Sequence, residues 1–437
     1  MKKNKSFKLA GNQNPKIKLT NLYRPYEKHK EDKINKTNNI LRKIGIWLLR
    51  VLLAIIVATG GILLWAYFST GTSLIARGIM WGDSDAGDLY RFPTREMQAS
   101  SDPAIFTPVT EDILSQLMVT AESLQADPLP LAELLEKTNT TAFIVLHGDE
   151  LLYEGYFNGA DRESTQTSFS AAKSFTGTLV GIAIEEGIIN SLDDPITDYL
   201  PELVERDPRF EEITLRHLLS MTSGLRWERS DSNPLSDDFI TYYSPDLRET
   251  ALAAEIVDAP GQTFLYNDYN PLLVGMALER AAGTSISEYM ETRLWQPMGA
   301  EGKGSWSLDS EQSGFEKMFV GVNGRAIDLA KLGWLYLNGG KNGDTQVVPQ
   351  SWVEQVTQPT DAVLTNRDLN SNYYQYYWWL DAENDAYYAE GDKCQFIYVY
   401  PKADLVLARF GTDCGNYVFG IGWMIGIAQY LETQIAQ

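Results

Sequence analysis

A chain of 437 residues with 44% apolar and 11% aromatic content can bury a sizeable core, and at roughly 100–200 residues per domain it has room for two or three. Its net charge of −21 is unevenly divided: residues 1–50 hold fourteen Lys and Arg against three acidic residues, or +11, which leaves −32 for the rest. A body that acidic repels phosphate backbones, which argues against nucleic acid as a partner.

Residues 1–43 are polar, basic and rich in Asn and Lys, the composition of a flexible cytoplasmic tail without a fold of its own. A transmembrane helix is expected over 44–68. Its centre is eighteen uncharged residues, VLLAIIVATGGILLWAYF at 51–68, close to the roughly 20 that cross a hydrocarbon core as helix. Residues 44–49 extend it if Arg50 snorkels to the interface. Basic residues before the span and acidic ones after it predict a single pass through the cytoplasmic membrane, with the N-terminus inside and the body periplasmic or otherwise extracytoplasmic. A cleaved signal peptide has a shorter apolar core, about 7–15 residues, and no A-x-A site follows here.

Residues 69–137 mix Gly, Asp, Pro and Ser with isolated aromatics and read as a juxtamembrane connector packed on the body; helical spacing over 113–135 is broken at Pro128 and Pro130. The remainder, 138–437, is expected to be the catalytic domain. Strands at 142–146 and 151–157 flank His147-Gly148-Asp149-Glu150, a hairpin signal. A long helix over 170–186 ends at Gly187, a fitting C-cap. Further helices are expected at 214–221, 249–257, 270–282, 285–294, 326–338 and 350–356. A second hairpin, 395–400 with 405–410, turns at Pro401-Lys402-Ala403-Asp404, and a helix over 421–434 closes the chain. This order describes an α+β fold: an antiparallel sheet flanked by helices, with an inserted all-helical lobe.

A serine hydroxyl is a weak nucleophile until a base within reach takes its proton. In Ser170-Ala171-Ala172-Lys173 the i, i+3 spacing puts both side chains on one helix face. The first helical turn disfavours an ammonium ion, and burial under a lobe disfavours it further, so a neutral Lys173 is the expected base. Around the pair stands SFSAAKSFTGTLVGIAIEEGIINSLDDPITDYLPEL, and later ITLRHLLSMTSGL, FLYNDYNPLLVGMALE, LWQPMGA, GRAIDLAKLGWLYLNGG and FIYVYPKADLVLARFG.

Over about 138–432 these blocks resemble the serine β-lactamase and penicillin-binding-protein superfamily, in its class C-like branch with the 6-aminohexanoate-oligomer hydrolases and related esterases. The resemblance implies a β-lactamase/transpeptidase-like fold, a Ser170 acyl-enzyme and no cofactor. Tyr266 in Tyr266-Asn267-Asp268 matches the family tyrosine that assists proton transfer, and its phenolate, stabilised by a nearby Lys, is the alternative to Lys173 as acylation base; Asp268 stands where the family usually has Asn. The third family motif, usually Lys-Thr-Gly or His-x-Gly, aligns with Asp392-Lys393-Cys394. Asp392 there would repel a substrate carboxylate, and Lys393 one residue along a strand would face the other way. The oxyanion hole would use the backbone N–H groups of Ser170 and Gln395. Asp268, Asp392 and Cys394 are thus expected to line the substrate side.

A Ser-His-Asp triad has only His29, His147 and His217 to draw on, and His217 lies in an apolar helix where a structural role is expected. Trp378 and Trp379, after Tyr373, Tyr374, Tyr376 and Tyr377, suit a packed strand or an apolar substrate wall. Cys394 and Cys414, the two cysteines, suit either a disulfide or two free thiols. The sequence therefore predicts a membrane-anchored hydrolase of a small-molecule amide or ester. A peptidoglycan DD-peptidase or β-lactamase, and a non-catalytic ligand-binding sensor or scaffold, are the alternatives.

Overall fold

The run TTAFIVLH has the β-branched and aromatic content of a strand covered on both faces, and it forms Thr140–His147 inside a nine-stranded sheet. The computed structural model describes residues 24–436 except 71–73, 110–113, 115–116, 120–127, 231–232, 234–235, 360–361, 366–372 and 416–419; for 24–29, 66–70 and 79 it describes the backbone alone. From one edge the sheet runs Val363–Leu364, Tyr373–Gln375, Trp378–Asp381, Ala386–Gly391, Gln395–Tyr400, Leu405–Gly411, Thr140–His147, Glu150–Tyr156 and Thr107–Pro108. Neighbours are antiparallel except at the last edge, where Thr107–Pro108 runs parallel to its partner. Helix Ala326–Leu337 packs on Gln395–Tyr400 and Leu405–Gly411, as does Ile421–Ile435. Gly333 permits the first contact: a Cβ there would lie 2.8 Å from side-chain atoms of Ile397 and Val406.

A second, four-stranded antiparallel sheet is ordered Thr94–Met97, Gly304–Ser307, Val322–Arg325, Thr165–Thr167. It is the platform from which the nucleophile turn departs. Between Thr165–Thr167 and Gly304–Ser307 lies the helical lobe, which includes Ala172–Glu185, Leu215–Leu219, Asp237–Tyr243, Leu247–Leu252, Tyr269–Ala282 and Ile286–Met290, the last continuing as a π-helical turn Glu291–Trp295.

The hairpins and long helices stand where the periodicity puts them. The helix expected at 249–257 is shorter, ending at Leu252, because Ile256 instead bridges to Leu225. Of the helix expected over 113–135, residues 113, 115–116 and 120–127 lie outside the described residues. Met118–Val119 pairs with Leu129–Pro130, and helix begins only at Leu131–Lys137, with Pro130 at its N-cap. Pro130 has no N–H to continue a helix through itself.

The chain divides into two compact units, 1–71 and 72–437. Among the described residues the first contains one helix, Arg24–Thr70, of 47 residues. Its stretch Lys30–Trp65 has the length and composition of a membrane span or a signal sequence. Helix thus starts well before residue 44, through a Lys- and Glu-bearing segment of good helix formers; the tail before Arg24 lies outside the described residues. The second unit absorbs the expected connector, since Thr94–Met97 and Thr107–Pro108 supply a strand to each sheet and Met97 is buried.

Candidate active site

Thr165–Thr167 leads into a 3-10 turn, Phe169–Ala171, and then into helix Ala172–Glu185. Ser168 fastens the turn: its N–H donates to the Val322 carbonyl at 2.9 Å, and its Oγ accepts from the Val322 N–H at 3.1 Å. Phe169 then takes a left-handed φ of 43°, a conformation a bulky residue holds only when its surroundings impose it. The kink presents Ser170 at the start of the helix, half-buried, while Lys173 is fully buried behind it.

Lys173 Nζ lies 3.2 Å from Ser170 Oγ, donates to the Phe319 carbonyl at 3.1 Å, and forms an ion pair with Asp268 Oδ1 at 2.9 Å. It also sits 4.6 Å from the centroid of the Tyr266 ring. Burial works against the ammonium, but the Asp268 charge, then that of Tyr266, and hydrogen bonds to both outweigh it, so the Lys173 pKa is raised above its ordinary value. This corrects the expectation of a neutral lysine: the resting side chain is an ammonium held by a carboxylate. Asp268 is free for that role because its neighbour does the capping. It stands at the N-cap of Tyr269–Ala282 without a side-chain cap bond, and Asn267 Oδ1 accepts from the Asn270 N–H at 3.1 Å instead.

The opposite wall is a tight turn. Asp392–Cys394 joins Ala386–Gly391 to Gln395–Tyr400, with Gly391 opposite Gln395. Lys393 and Cys394 both take left-handed backbone, φ 57° and 62°. No strand runs through them, so the argument that a one-residue shift turns Lys393 to the opposite face does not apply. Lys393 Nζ instead folds back to 3.7 Å from Asp392 Oδ2, which also accepts from Ser84 Oγ at 3.1 Å. Gly391 brings this turn against the nucleophile: a Cβ there would lie 2.2 Å from the Ser168 carbonyl oxygen and 3.1 Å from Ser170 N.

Three devices hold the turn. Cys394 and Cys414 form a disulfide, Cα to Cα 5.4 Å across 20 residues of sequence, which closes the question the cysteine count left open. The fully buried Arg409 donates to the Lys393 and Cys394 carbonyls at 2.7 and 2.9 Å and to the Thr138 and Asp413 carbonyls at 2.6 and 2.7 Å. Burial pushes its pKa down to about 9. The Gln395 amide donates to the carbonyls of Asp392, Lys393 and Gly411 and accepts from the Gly411 N–H.

The profile of the Beta-lactamase family matches residues 131–416, which take in both walls of this cleft. The chain belongs to that family. Relatives named as hydrolases are among those it resembles, and by this membership it is a serine hydrolase. It is 28% identical over 298 residues to a 6-aminohexanoate-dimer hydrolase of Paenarthrobacter ureafaciens, spanning 64% of this chain and 75% of that one. To a beta-lactamase of Escherichia coli K12 it is 31% identical over 176 residues, 39% of this chain and 44% of that one. In fold it is similar to a putative 6-aminohexanoate-dimer hydrolase from Bacillus anthracis, with a TM-score of 0.66 and 24% identity over 78% of this chain and 92% of that one. A penicillin-binding protein from Bacillus halodurans shares the fold at a TM-score of 0.54 and 18% identity, over 68% and 99%.

Within this family member Ser170, Tyr266 and Asp268 all lie against Lys173, so Asp268, expected on the substrate side, is the lysine's ion-pair partner. The aromatic run expected as a packed strand or a substrate wall adjoins this corner. Trp379 stacks on Tyr266 at 5.8 Å and Tyr374 meets it edge-on at 6.0 Å. Both lie on strands, Trp378–Asp381 and Tyr373–Gln375, so the aromatic run packs a sheet and also frames the catalytic tyrosine candidate. The Phe319 carbonyl has no sequence signature, being backbone, and Ser84 comes from a segment expected to be mere connector. His217 lies in a capping box with Thr214, away from any catalytic grouping: the Thr214 N–H reaches its Nδ1 at 3.2 Å and its own N–H reaches Thr214 Oγ1 at 3.3 Å.

Proposed function

We propose that the protein cleaves an amide or ester bond through a Ser170 acyl-enzyme. The observation that carries this is the contact of Lys173 Nζ with Ser170 Oγ at 3.2 Å while the same ammonium is paired to Asp268 at 2.9 Å. Ser170 Oγ attacks the substrate carbonyl carbon as its proton moves to Lys173, which passes one of its own to the Asp268 carboxylate. The ammonium thus keeps its charge and the proton ends on Asp268. The oxyanion is received by the Ser170 and Gln395 N–H groups, whose turns Gly391 presses together. Collapse breaks the bond to the leaving amine or alkoxide, which takes the proton back through Tyr266 and Lys173, and water then releases the acyl group by the reverse sequence.

On the substrate side Asp392 places a carboxylate where relatives of this type bind an anion with a cation. The substrate we propose is neutral or positively charged at that end, unlike a β-lactam or a peptide C-terminus. A relative named for hydrolysing 6-aminohexanoate dimer supports an amide over a lactam. The N-terminal helix anchors the enzyme in the cytoplasmic membrane, with the basic arm inside and the catalytic unit outside. The Cys394–Cys414 disulfide supports an oxidising compartment.

A fluorophosphonate probe and a fluorescent penicillin, each applied to the wild type and to Ser170→Ala, test this. Labelling of the wild type by the first and not the second is expected, with none in the variant. Penicillin labelling with turnover restores the β-lactamase or peptidase alternative, and labelling without turnover points to a sensor. Fluorophosphonate labelling that survives Ser170→Ala overturns the mechanism.

A further inference from the structure

Tyr266 lies in a stretch, 263–267, that has no regular secondary structure, and its side chain is half-buried. On such a segment the χ1 well of a side chain is chosen by what packs against it, and χ1 sets where the hydroxyl lies. The neighbours here are aromatic. Trp379 stacks on the Tyr266 ring at 5.8 Å and 22°, Tyr374 meets it edge-on at 6.0 Å and 80°, and Lys173 Nζ stands 4.6 Å from its centroid. Stacked and edge-on arrangements at these distances are the favourable ones for aromatic pairs.

Trp379 is itself fixed. It is buried, and in the sheet it stands opposite Tyr374 on one side and Tyr388 on the other; its ring lies 4.6 Å from the first and stacks on the second at 6.4 Å and 19°. Trp378 faces the other way, where its ring lies 4.4 Å from that of Tyr336. The hairpin that carries Tyr374 and Trp379 is fastened to the nucleophile helix at its turn, Tyr376-Tyr377. The Tyr377 carbonyl accepts from Ser174 Oγ at 2.7 Å, its N–H donates to the Leu219 carbonyl at 3.2 Å, and a Cβ on Gly177 would lie 2.7 Å from the Tyr376 carbonyl oxygen. Through Trp379 the hairpin thus ties the Tyr266 ring to the helix that carries Lys173.

We infer that Trp379 is a positioning residue for leaving-group protonation: its stack holds Tyr266 where a proton passes from Lys173 to the departing atom. When the tetrahedral intermediate collapses, the bond from the carbonyl carbon to the leaving oxygen or nitrogen breaks, and the electron pair stays with the leaving atom. That atom takes the Tyr266 hydroxyl proton, Lys173 replaces it, and Asp268 returns to Lys173 the proton it received during attack. Displacing such a donor by about 1 Å forfeits much of its effect, so the platform under the ring matters as much as the ring. The inference rests on the proposed acyl-enzyme reading.

The test compares kcat/KM of the full chain for p-nitrophenyl butyrate and ethyl butyrate, which form the same acyl-enzyme. p-Nitrophenolate leaves as a stable anion, whereas ethoxide needs a proton as it departs. Trp379→Leu removes the stack and is expected to lower kcat/KM for ethyl butyrate roughly 10- to 100-fold more than for p-nitrophenyl butyrate, the order for a misplaced proton donor. Trp379→Phe keeps a ring to stack and is expected to recover most of that difference. Trp378→Leu, on the opposite face, is expected to lower Tm without the selectivity, and Trp379→Leu in a Tyr266→Phe background to add none. Equal losses on both esters in Trp379→Leu, or the same selectivity in Trp378→Leu, overturn the inference, as does wild type that cleaves only the nitrophenyl ester. If Trp379→Leu does not fold, Tyr374→Leu, which removes the edge-on contact, decides with the same expected selectivity; failure of both to fold overturns the inference, since the platform would then be structural. Wild-type protein whose Ser170 takes no fluorophosphonate overturns the acyl-enzyme reading and this inference together; labelled wild type beside an unselective Trp379→Leu overturns this inference alone.

Discussion

Among the described residues, two of the three lysines buried in the second unit, Lys173 and Lys317, meet opposite fates. Lys173 and Lys317 are each 1% exposed and both approach the Phe319 ring, at 5.6 and 5.2 Å. Lys173 has a carboxylate at 2.9 Å and its pKa rises. Lys317 donates to the Tyr242 carbonyl and lies in a cage of aromatic rings, 4.0 Å from the Phe92 centroid and 4.6 Å from that of Tyr242. Burial, with the Arg77 charge adding to it, pushes Lys317 down to about 7. Desolvation is common to both, so the adjacent carboxylate decides which lysine stays charged. Asp268, the departure from the family pattern, therefore keeps Lys173 charged.

Breaking the Lys173 side gives the largest expected effect. Lys173→Met removes the proton carrier while keeping its bulk and should lower kcat for an ester substrate by about 10²–10⁴-fold, read by steady-state kinetics. Fluorophosphonate labelling of Lys173→Met at the wild-type rate would contradict the relay.

Asp268→Asn should turn Lys173 into a second Lys317. With an uncompensated buried ammonium left behind, the variant is expected to lose about 3–5 kcal/mol of stability at neutral pH by chemical denaturation. Because the folded pKa of Lys173 is raised, the pair's contribution is fully present below the ordinary lysine value of 10.5 and is lost as pH climbs through the raised one. The gap between wild type and variant should accordingly close in strongly alkaline buffer. A gap that is flat across that range would show that the ion pair is not its source.

The converse change sharpens the contrast. Lys317→Met should stabilise the protein at neutral pH by on the order of 3 kcal/mol, since it removes a cation that burial disfavours. Lys317 has a depressed folded pKa, so its penalty grows as pH falls from 10.5 towards about 7 and is constant below that. Denaturation midpoints of variant and wild type should therefore converge above pH 10.5. Smallest of all, Phe319→Leu should cost about 1–2 kcal/mol, from lost packing and a cation–π contact to both lysines, with kcat reduced less than in Lys173→Met.

Legibility differed along the chain for physical reasons. Apolar runs of strand or helix length bounded by turn residues marked both hairpins and most helices, although Thr140–His147 and Gln395–Tyr400 are covered on both faces. The aromatic run from 373 to 379 suited a packed strand or a substrate wall without bounds, and Ala386–Gly391 was not placed, since a dense aromatic run carries no alternation when both faces are buried. The connector was read as an appendage because two- and four-residue strands such as Thr107–Pro108 and Thr94–Met97 are too short to show a period. At the site, Ser170 and Lys173 share a helix and could be paired from spacing. Arg409 and the Phe319 carbonyl could not, since one looks like any strand residue and the other is backbone.

What the sequence determined by itself was the candidate groups and the order of the blocks that carry them: Ser170 one turn before Lys173, a tyrosine and an acid at 266 and 268, and an acid in place of the third motif's cation. Tertiary structure alone decided their charges and their conformations. A lysine's protonation depends on what lies within a few ångströms in three dimensions, and Asp268, 95 positions away, overrules the helix dipole and the burial that favoured a neutral amine. In the same way the Asp392–Cys394 turn takes its left-handed form from a disulfide, a buried arginine and a glycine packed against the nucleophile, none of which a local propensity could supply.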